Sequence, residues 1–339
     1  MSYYPKEGNP LWERYSTKLV AHTVQTNSKY TVDYPYPVAI SVHSKSIGME
    51  YPMICFNGGR PEADGTYSER TKDGMWGVII HEVGHNFFPM IINSDERQWT
   101  WMDEGLNTFV QYLTEQEWER DYPSRRGPAY KIADYMKGDK SNISPIMTNS
   151  ESIWQFGNNA YGKPATALNI LRETVMGREL FDYAFKTYCE RWKFKHPTPA
   201  DFFRSMEDAS AVDLDWFWRG WFYSNDHVDI SLESVQLFLL NTQNPETEKA
   251  FRKEQNDTKD EFKGDLENKK MIKETINEKD ANIDDFYAKR DIFKVDKLDD
   301  LEYAQFVKRN NQSLDLLNSN KFFYELNFKN IGGLVMPLI

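Results

Sequence analysis

From Met75 onward, apolar residues recur three and four positions apart, the spacing of helices that bury one face. The most apolar of these segments is 76–92, which predicts a helix ending near Pro89. Further helices are predicted from Asp103 to Trp118, over 161–175, over 180–194 and over 196–208. The last has a start signal, with Thr198 as N-cap and Pro199 at the first helical position. Residues 213–224 hold three Trp and two Phe, so that segment belongs to a core or an interface.

The flanks follow other rules. Residues 38–44 and 51–56 alternate as two strands, and 56–74, rich in Gly, Pro and charge, reads as a loop. Residues 1–36 are polar and tyrosine-rich, with no element predicted. After the helices, 228–240 and 322–339 read as strands. Between them, 245–302 is highly charged and poor in apolar residues, which predicts solvated helices or a mobile insertion. The chain stops at Ile339 inside an apolar run, and an unpaired apolar strand edge invites aggregation, so a longer parent chain is expected. The pattern as a whole gives an α+β, mainly helical chain.

Composition narrows the function. The 339 residues are 40% hydrophobic and 15% aromatic, enough for a sizeable core. A net charge of −11 disfavours general nucleic-acid binding, which needs clustered Lys and Arg. No run approaches the roughly 18–20 apolar residues that span a bilayer, so no membrane association is expected. The N-terminus has no apolar signal-peptide core, which leaves the compartment open between cytoplasm and export. Cys55 and Cys189 make no disulfide framework and read as two small buried residues.

The chemistry begins at His81-Glu82-Val83-Gly84-His85. Positions four apart share a helix face, so the two imidazoles can hold one metal ion. Glu82 projects about 100° round the helix, out of that ligand set but within reach of a water beside the metal. A catalytic zinc site with two His needs a third donor. Eighteen residues separate His85 from Glu104, at the start of the next predicted helix. An antiparallel packing of the two helices returns its carboxylate to the metal. Alone, Glu104 would read as a first-turn carboxylate favoured by the helix dipole.

This arrangement, with Glu104 inside Trp101-Met102-Asp103-Glu104-Gly105, resembles the gluzincin family of aminopeptidase N and leukotriene hydrolase, over about residues 30–240. A thermolysin-type reading fits less well, because nothing here matches its Asn-Glu-x-x-Ser-Asp setting. Gly48-Met49-Glu50 resembles the family's exopeptidase motif, which implies substrate binding by Gly48, Met49 and Glu50, with Glu50 on the substrate amine. Ala160-Tyr161-Gly162-Lys163-Pro164 resembles the segment whose tyrosine donates to the oxyanion, implying that role for Tyr161.

The resemblance implies a thermolysin-like zincin catalytic domain over 1–228, with a small strand-containing N-terminal lobe. It implies an incomplete C-terminal β segment over 229–339 around the charged, helical or mobile insertion 245–302. One Zn²⁺ per chain is expected, on His81, His85 and Glu104. Glu82 would serve as base in attack by metal-activated water on peptides with a free N-terminus. An N-terminal β domain lying before residue 1 would complete the substrate cleft. The sequence departs from the family pattern at Ile47 and Tyr51, which replace Gly and Asn, and at Asp103, which replaces Asn. Gln111 stands where the family often has a carboxylate that steadies a ligating His. Two rivals remain at this point: epoxide hydrolysis, and a catalytically weak or inactive relative acting as an interaction module. His22, His43, His196 and His227 read as structural or solvent-facing.

Overall fold

The computed structural model describes residues 1–261, 263–280, 290–311, 314–317 and 321–335. Met1–Ile230, with the segment from Asn330, forms one compact unit, and Ser231–Lys329 forms a second.

In the first unit, short strand β1 (Ser2–Tyr3) precedes a helix that the hydrophobic pattern does not predict, α1 (Leu11–Tyr30). Its buried face mixes Leu11, Trp12, Leu19 and Val20 with Ser16, Thr23, Thr26 and Asn27. The small polar residues are satisfied locally: Ser16 Oγ donates to Trp12 O at 2.7 Å and Thr23 Oγ1 to Leu19 O at 2.8 Å. Thr114 Oγ1 donates to Asn27 Oδ1 at 2.9 Å. A polar residue whose hydrogen bonds are met can be buried at little cost. The hydrophobic pattern therefore reads this face as solvent.

β2 (Ile40–His43) lies within the first predicted strand. The second predicted strand is instead a hairpin, β3 (Met49–Tyr51) and β4 (Ile54–Asn57). Pro52 has no N–H for a ladder, and Met53 adopts a left-handed conformation at φ 67°. The turn is tied down by Met53 N donating to Asn86 Oδ1 at 2.8 Å. The sheet order is β1-β2-β4-β3, with β2 parallel to both β1 and β4, and β3 antiparallel to β4.

α2 (Glu69–Gly84) starts inside the charged stretch read as loop, where Ser68 Oγ accepts from Thr71 N at 3.1 Å. It also stops sooner than Pro89. Beyond Gly84 irregular turns continue, with Met90 N on His85 O at 3.2 Å and Ile92 N on Phe87 O at 3.0 Å. α3 (Glu104–Trp118) matches its expectation, and α1 packs against both α2 and α3. Short α4 (Ala133–Lys137) follows. α5 (Lys163–Ile170) is flanked by π-helical turns at Gly157–Gly162 and Leu171–Val175. α6 (Arg178–Trp192), α7 (Pro199–Ser210) and α8 (Asp215–Tyr223) complete the helical part. Asp201 accepts from the Thr198 backbone N–H at 2.9 Å and hydroxyl at 2.8 Å, closing the start of α7.

The aromatic segment is core: Phe217, Trp218, Trp221 and Phe222 are buried with Trp101 and Phe202 in one cluster. A second cluster, including Trp12, Leu19, Cys55, Trp76 and Ile79, fills the space between α1, α2 and the sheet. Both cysteines are free and buried. Residues of the last predicted strand return to this unit, where His227 pairs with Gly333 and Leu334 is buried in the larger cluster.

The second unit holds β5 (Ile230–Phe238, its first residue still in the first unit), α9 (Pro245–Asp257), α10 (Lys263–Met271), α11 (Ile276–Lys279), α12 (Lys297–Arg309), α13 (Leu314–Leu317) and β6 (Phe323–Asn330, its last residue back in the first unit). β5 and β6 form a two-stranded sheet. α9, α10 and α12 bury no residue, as a charged composition dictates. The remainder of the expected insertion, residues 262 and 281–289, lies outside the described residues, as do 336–339 of the last predicted strand. Among the described residues no helix is long and apolar enough to cross a membrane.

Candidate active site

The packing of α2 against α3 brings His81, His85 and Glu104 together. His81 Nε2 lies 3.1 Å from Glu104 Oε2 and 3.1 Å from His85 Nε2, and His85 Nε2 lies 3.4 Å from the same carboxylate oxygen. A tetrahedral zinc with bonds of about 2.0–2.2 Å keeps its ligands roughly 3.3–3.5 Å apart. The three donors therefore fit zinc with adjustments of tenths of an ångström.

The far nitrogens are held. His81 Nδ1 is 2.8 Å from Gln111 Oε1, and Gln111 Nε2 in turn donates to Glu115 Oε1 at 2.7 Å and to Gly77 O at 3.2 Å. His85 Nδ1 is 2.8 Å from Phe88 O and 2.8 Å from Asp103 Oδ1. Acceptors at both Nδ1 atoms place the ring protons there and turn each Nε2 lone pair to the common point.

Glu82 points to the same space and is buried, and its Oε2 has no hydrogen-bond partner among the described residues. Burial pushes its carboxyl up to about 8, with Glu50, Glu104 and Asp103 adding to the rise against the pull of His85. The edge of the hairpin lies directly over it. A Cβ on Gly48 would fall 2.5 Å from Glu82 Oε1 and 2.8 Å from Val78 Cγ2, so only glycine allows this approach.

On β3, Glu50 pairs with Cys55 and turns inward. Glu50, His85 and Asp103 each offer a ligand atom within 4.8 Å of the other two. Met49 and Tyr51 alternate outward and are exposed, and Met49 is not among the residues lining the cleft. Tyr161 sits in the first π-helical turn, a widened geometry common at functional positions. Its hydroxyl donates to Glu104 Oε1 at 2.6 Å, and burial beside that carboxylate raises its pKa. Its neighbour Lys163 is fully buried and donates to Ser224 O at 3.1 Å.

A cleft of about 1180 Å³ opens over the site, lined in part by Gly48, His81, Glu82, Gln111, Arg126 and Tyr161. Glu115 and Arg126 are absent from the sequence reading. Glu115 follows Gln111 by four residues on one helix, so the spacing alone could have paired them. Arg126 lies in a loop, where no periodicity points to it. Of the other histidines, His22 Nε2 lies 3.0 Å from Thr114 O, and the exposed His196 has its Nδ1 3.0 Å from Asn93 O.

Residues 16–221 match the peptidase family M1 domain. Similar proteins include a probable aminopeptidase 1 of Sulfurisphaera tokodaii, 25% identical over 186 residues, which are 52% of this chain and 24% of that protein. The glutamyl aminopeptidase of Bos taurus is 29% identical over 149 residues, 42% of this chain and 16% of that protein. Among solved structures, Legionella pneumophila aminopeptidase A in complex with aspartic acid aligns with a TM-score of 0.52 at 16% identity, covering 72% of this chain and 29% of that one. A variant of the M1 zinc metallopeptidase of Deinococcus radiodurans aligns with a TM-score of 0.50 at 16% identity, covering 65% and 47%. A helical zinc-metallopeptidase fold with a two-histidine, one-glutamate donor set thus meets a sequence match over more than half the chain. The chain belongs to peptidase family M1. It spans a quarter or less of the length of these two curated relatives.

Proposed function

We propose that the chain is the catalytic part of a zinc aminopeptidase that removes N-terminal residues from peptides. The observation carrying this reading is the convergence of three donors 3.1–3.4 Å apart beside the buried, unpartnered Glu82 oxygen. His81, His85 and Glu104 would hold one zinc ion per chain, which when bound supplies Lewis-acid activation of water and of the scissile carbonyl.

The protein's own groups do the rest. Glu82 takes the proton from the attacking water and returns it to the leaving amine, a task suited to a carboxyl raised toward neutrality. The Tyr161 hydroxyl moves from Glu104 to the substrate oxygen as negative charge develops there, a donor worth about 3 kcal/mol in comparable sites. Glu50 pairs with the substrate ammonium and so sets the cut one residue from the N-terminus. The small share of the relatives' length that the chain spans supports a cleft completed by a further domain. The full set of site residues gives no support to a non-catalytic interaction module.

The test is hydrolysis by the zinc-loaded full chain. Aminoacyl nitroanilides should be cut and N-acetylated peptides should not. Efficient cleavage of the acetylated peptides would remove the role given to Glu50, and inertness toward every aminoacyl substrate would remove the reading.

A further inference from the structure

Arg126 lies in the loop between α3 and α4, half-buried and lining the cleft with His81, Glu82 and Tyr161. Its guanidinium sits 4.3 Å from the centre of the Tyr161 ring. Among the described residues it has no hydrogen bond or ion pair. The two carboxylates that act on it electrostatically, Glu104 and Glu115, are both committed. Glu104 is taken by His81, His85 and Tyr161, and Glu115 accepts from Gln111 Nε2 at 2.7 Å and from Ser124 Oγ at 2.5 Å. Arg125 adds a second positive charge nearby.

The loop is built to hold this position. Gly127 has φ +111°, and a Cβ there would fall 2.7 Å from the Tyr112 ring, so the backbone turns tightly against α3 beside Arg126. A guanidinium drawn out of water without an acceptor is costly, and burial lowers its pKa. Carboxylate matches its planar fork with two parallel hydrogen bonds.

Arg126 lines the cleft with His81, Gln111 and Tyr161, whereas Glu50, grouped with His85 and Asp103, is not among the lining residues. A peptide whose ammonium meets Glu50 would extend its second residue toward Arg126. We propose that Arg126 binds a carboxylate carried by the leaving residue of the substrate, so that the enzyme prefers dipeptides or peptides with an acidic second residue. This rests on the aminopeptidase reading for the placement of the peptide.

The test is calorimetric binding to the zinc-loaded full chain carrying Glu82→Gln, which should prevent turnover. Three ligands separate the sources of the carboxylate: alanyl-alanine, its C-terminal amide, and alanyl-aspartic acid α-amide. At least one of the two acids should bind about 10–100-fold more tightly than the neutral amide. Which acid does so tells the α-carboxylate from the side chain. Arg126→Ala should abolish the ratio, and Arg126→Lys, which keeps the charge but not the fork, should keep part of it. A ratio near one in the parent protein, an unchanged ratio in Arg126→Ala, or no binding of any dipeptide would overturn the assignment. Cleavage of aminoacyl nitroanilides, which carry no carboxylate, reports the aminopeptidase reading separately. A chain inert to them that keeps the acid preference loses that reading and keeps Arg126.

Discussion

Gln111 holds His81 through a 2.8 Å contact between Oε1 and Nδ1. A neutral amide thus occupies a position where a carboxylate was the family expectation. One turn further along α3, the buried carboxyl of Glu115 accepts from Gln111 Nε2 at 2.7 Å. The amide fixes the orientation of the ring, while the buried acid fixes the orientation of the amide.

If that chain of contacts orients the imidazole, Gln111→Ala should weaken zinc binding by about 10–100-fold, the usual cost of losing such a partner. Competition with a chromophoric chelator measures it. Unchanged affinity would show that His81 is held by its packing alone.

Glu115 gives a pH signature. Burial pushes its carboxyl up to about 7, against the pull of Ser124, Gln111, Arg125 and Arg126. A carboxyl raised in the folded state binds its proton more tightly there than in the unfolded chain. Its contribution is therefore most favourable below the unfolded value of 4.5 and is lost as pH rises toward about 7. At about 1.4 kcal/mol per unit, the loss is on the order of 3–4 kcal/mol at most. In Glu115→Gln, stability should fall less between pH 5 and pH 8 than in the parent, as read from urea unfolding at each pH. Parallel pH curves for the two proteins would contradict this.

Tyr161→Phe removes one donor without changing the ring that Arg126 covers. The expected result is a fall in kcat of about 100–1000-fold with a much smaller change in KM. A loss confined to KM would place the hydroxyl in substrate binding and not in stabilisation of developing charge.

The core makes its own prediction. Phe202 is fully buried and touches the rings of Trp101, Phe185, Tyr188, Phe203 and Trp218. Phe202→Ala should cost about 3–5 kcal/mol in urea unfolding, and a loss below about 1 kcal/mol would mean that the cluster collapses freely around the gap.

The legible parts of the fold are those in which one helix face is continuously apolar. α3, α6 and α7 follow their sequence pattern, and the two imidazoles and Glu104 meet because helical spacing fixes which faces they share. α1 escapes because Ser16, Thr23 and Asn27 are buried with their hydrogen bonds met, and apolar periodicity does not register such residues. The hairpin at Pro52–Met53 hides inside an apolar run, because the reversal depends on one unusual backbone conformation. Arg126 could not be found from sequence, since its significance lies in the partners it lacks.

The central claim is that His81, His85 and Glu104 together grip one metal ion while Glu82 stands beside it. Equilibrium dialysis against zinc tests this directly, on the parent chain, Glu104→Ala and Glu82→Gln. The account predicts one zinc per chain for the parent and for Glu82→Gln with similar affinity, and binding at least about 100-fold weaker for Glu104→Ala. Equal affinity in all three proteins, or no zinc on the parent chain, would contradict it.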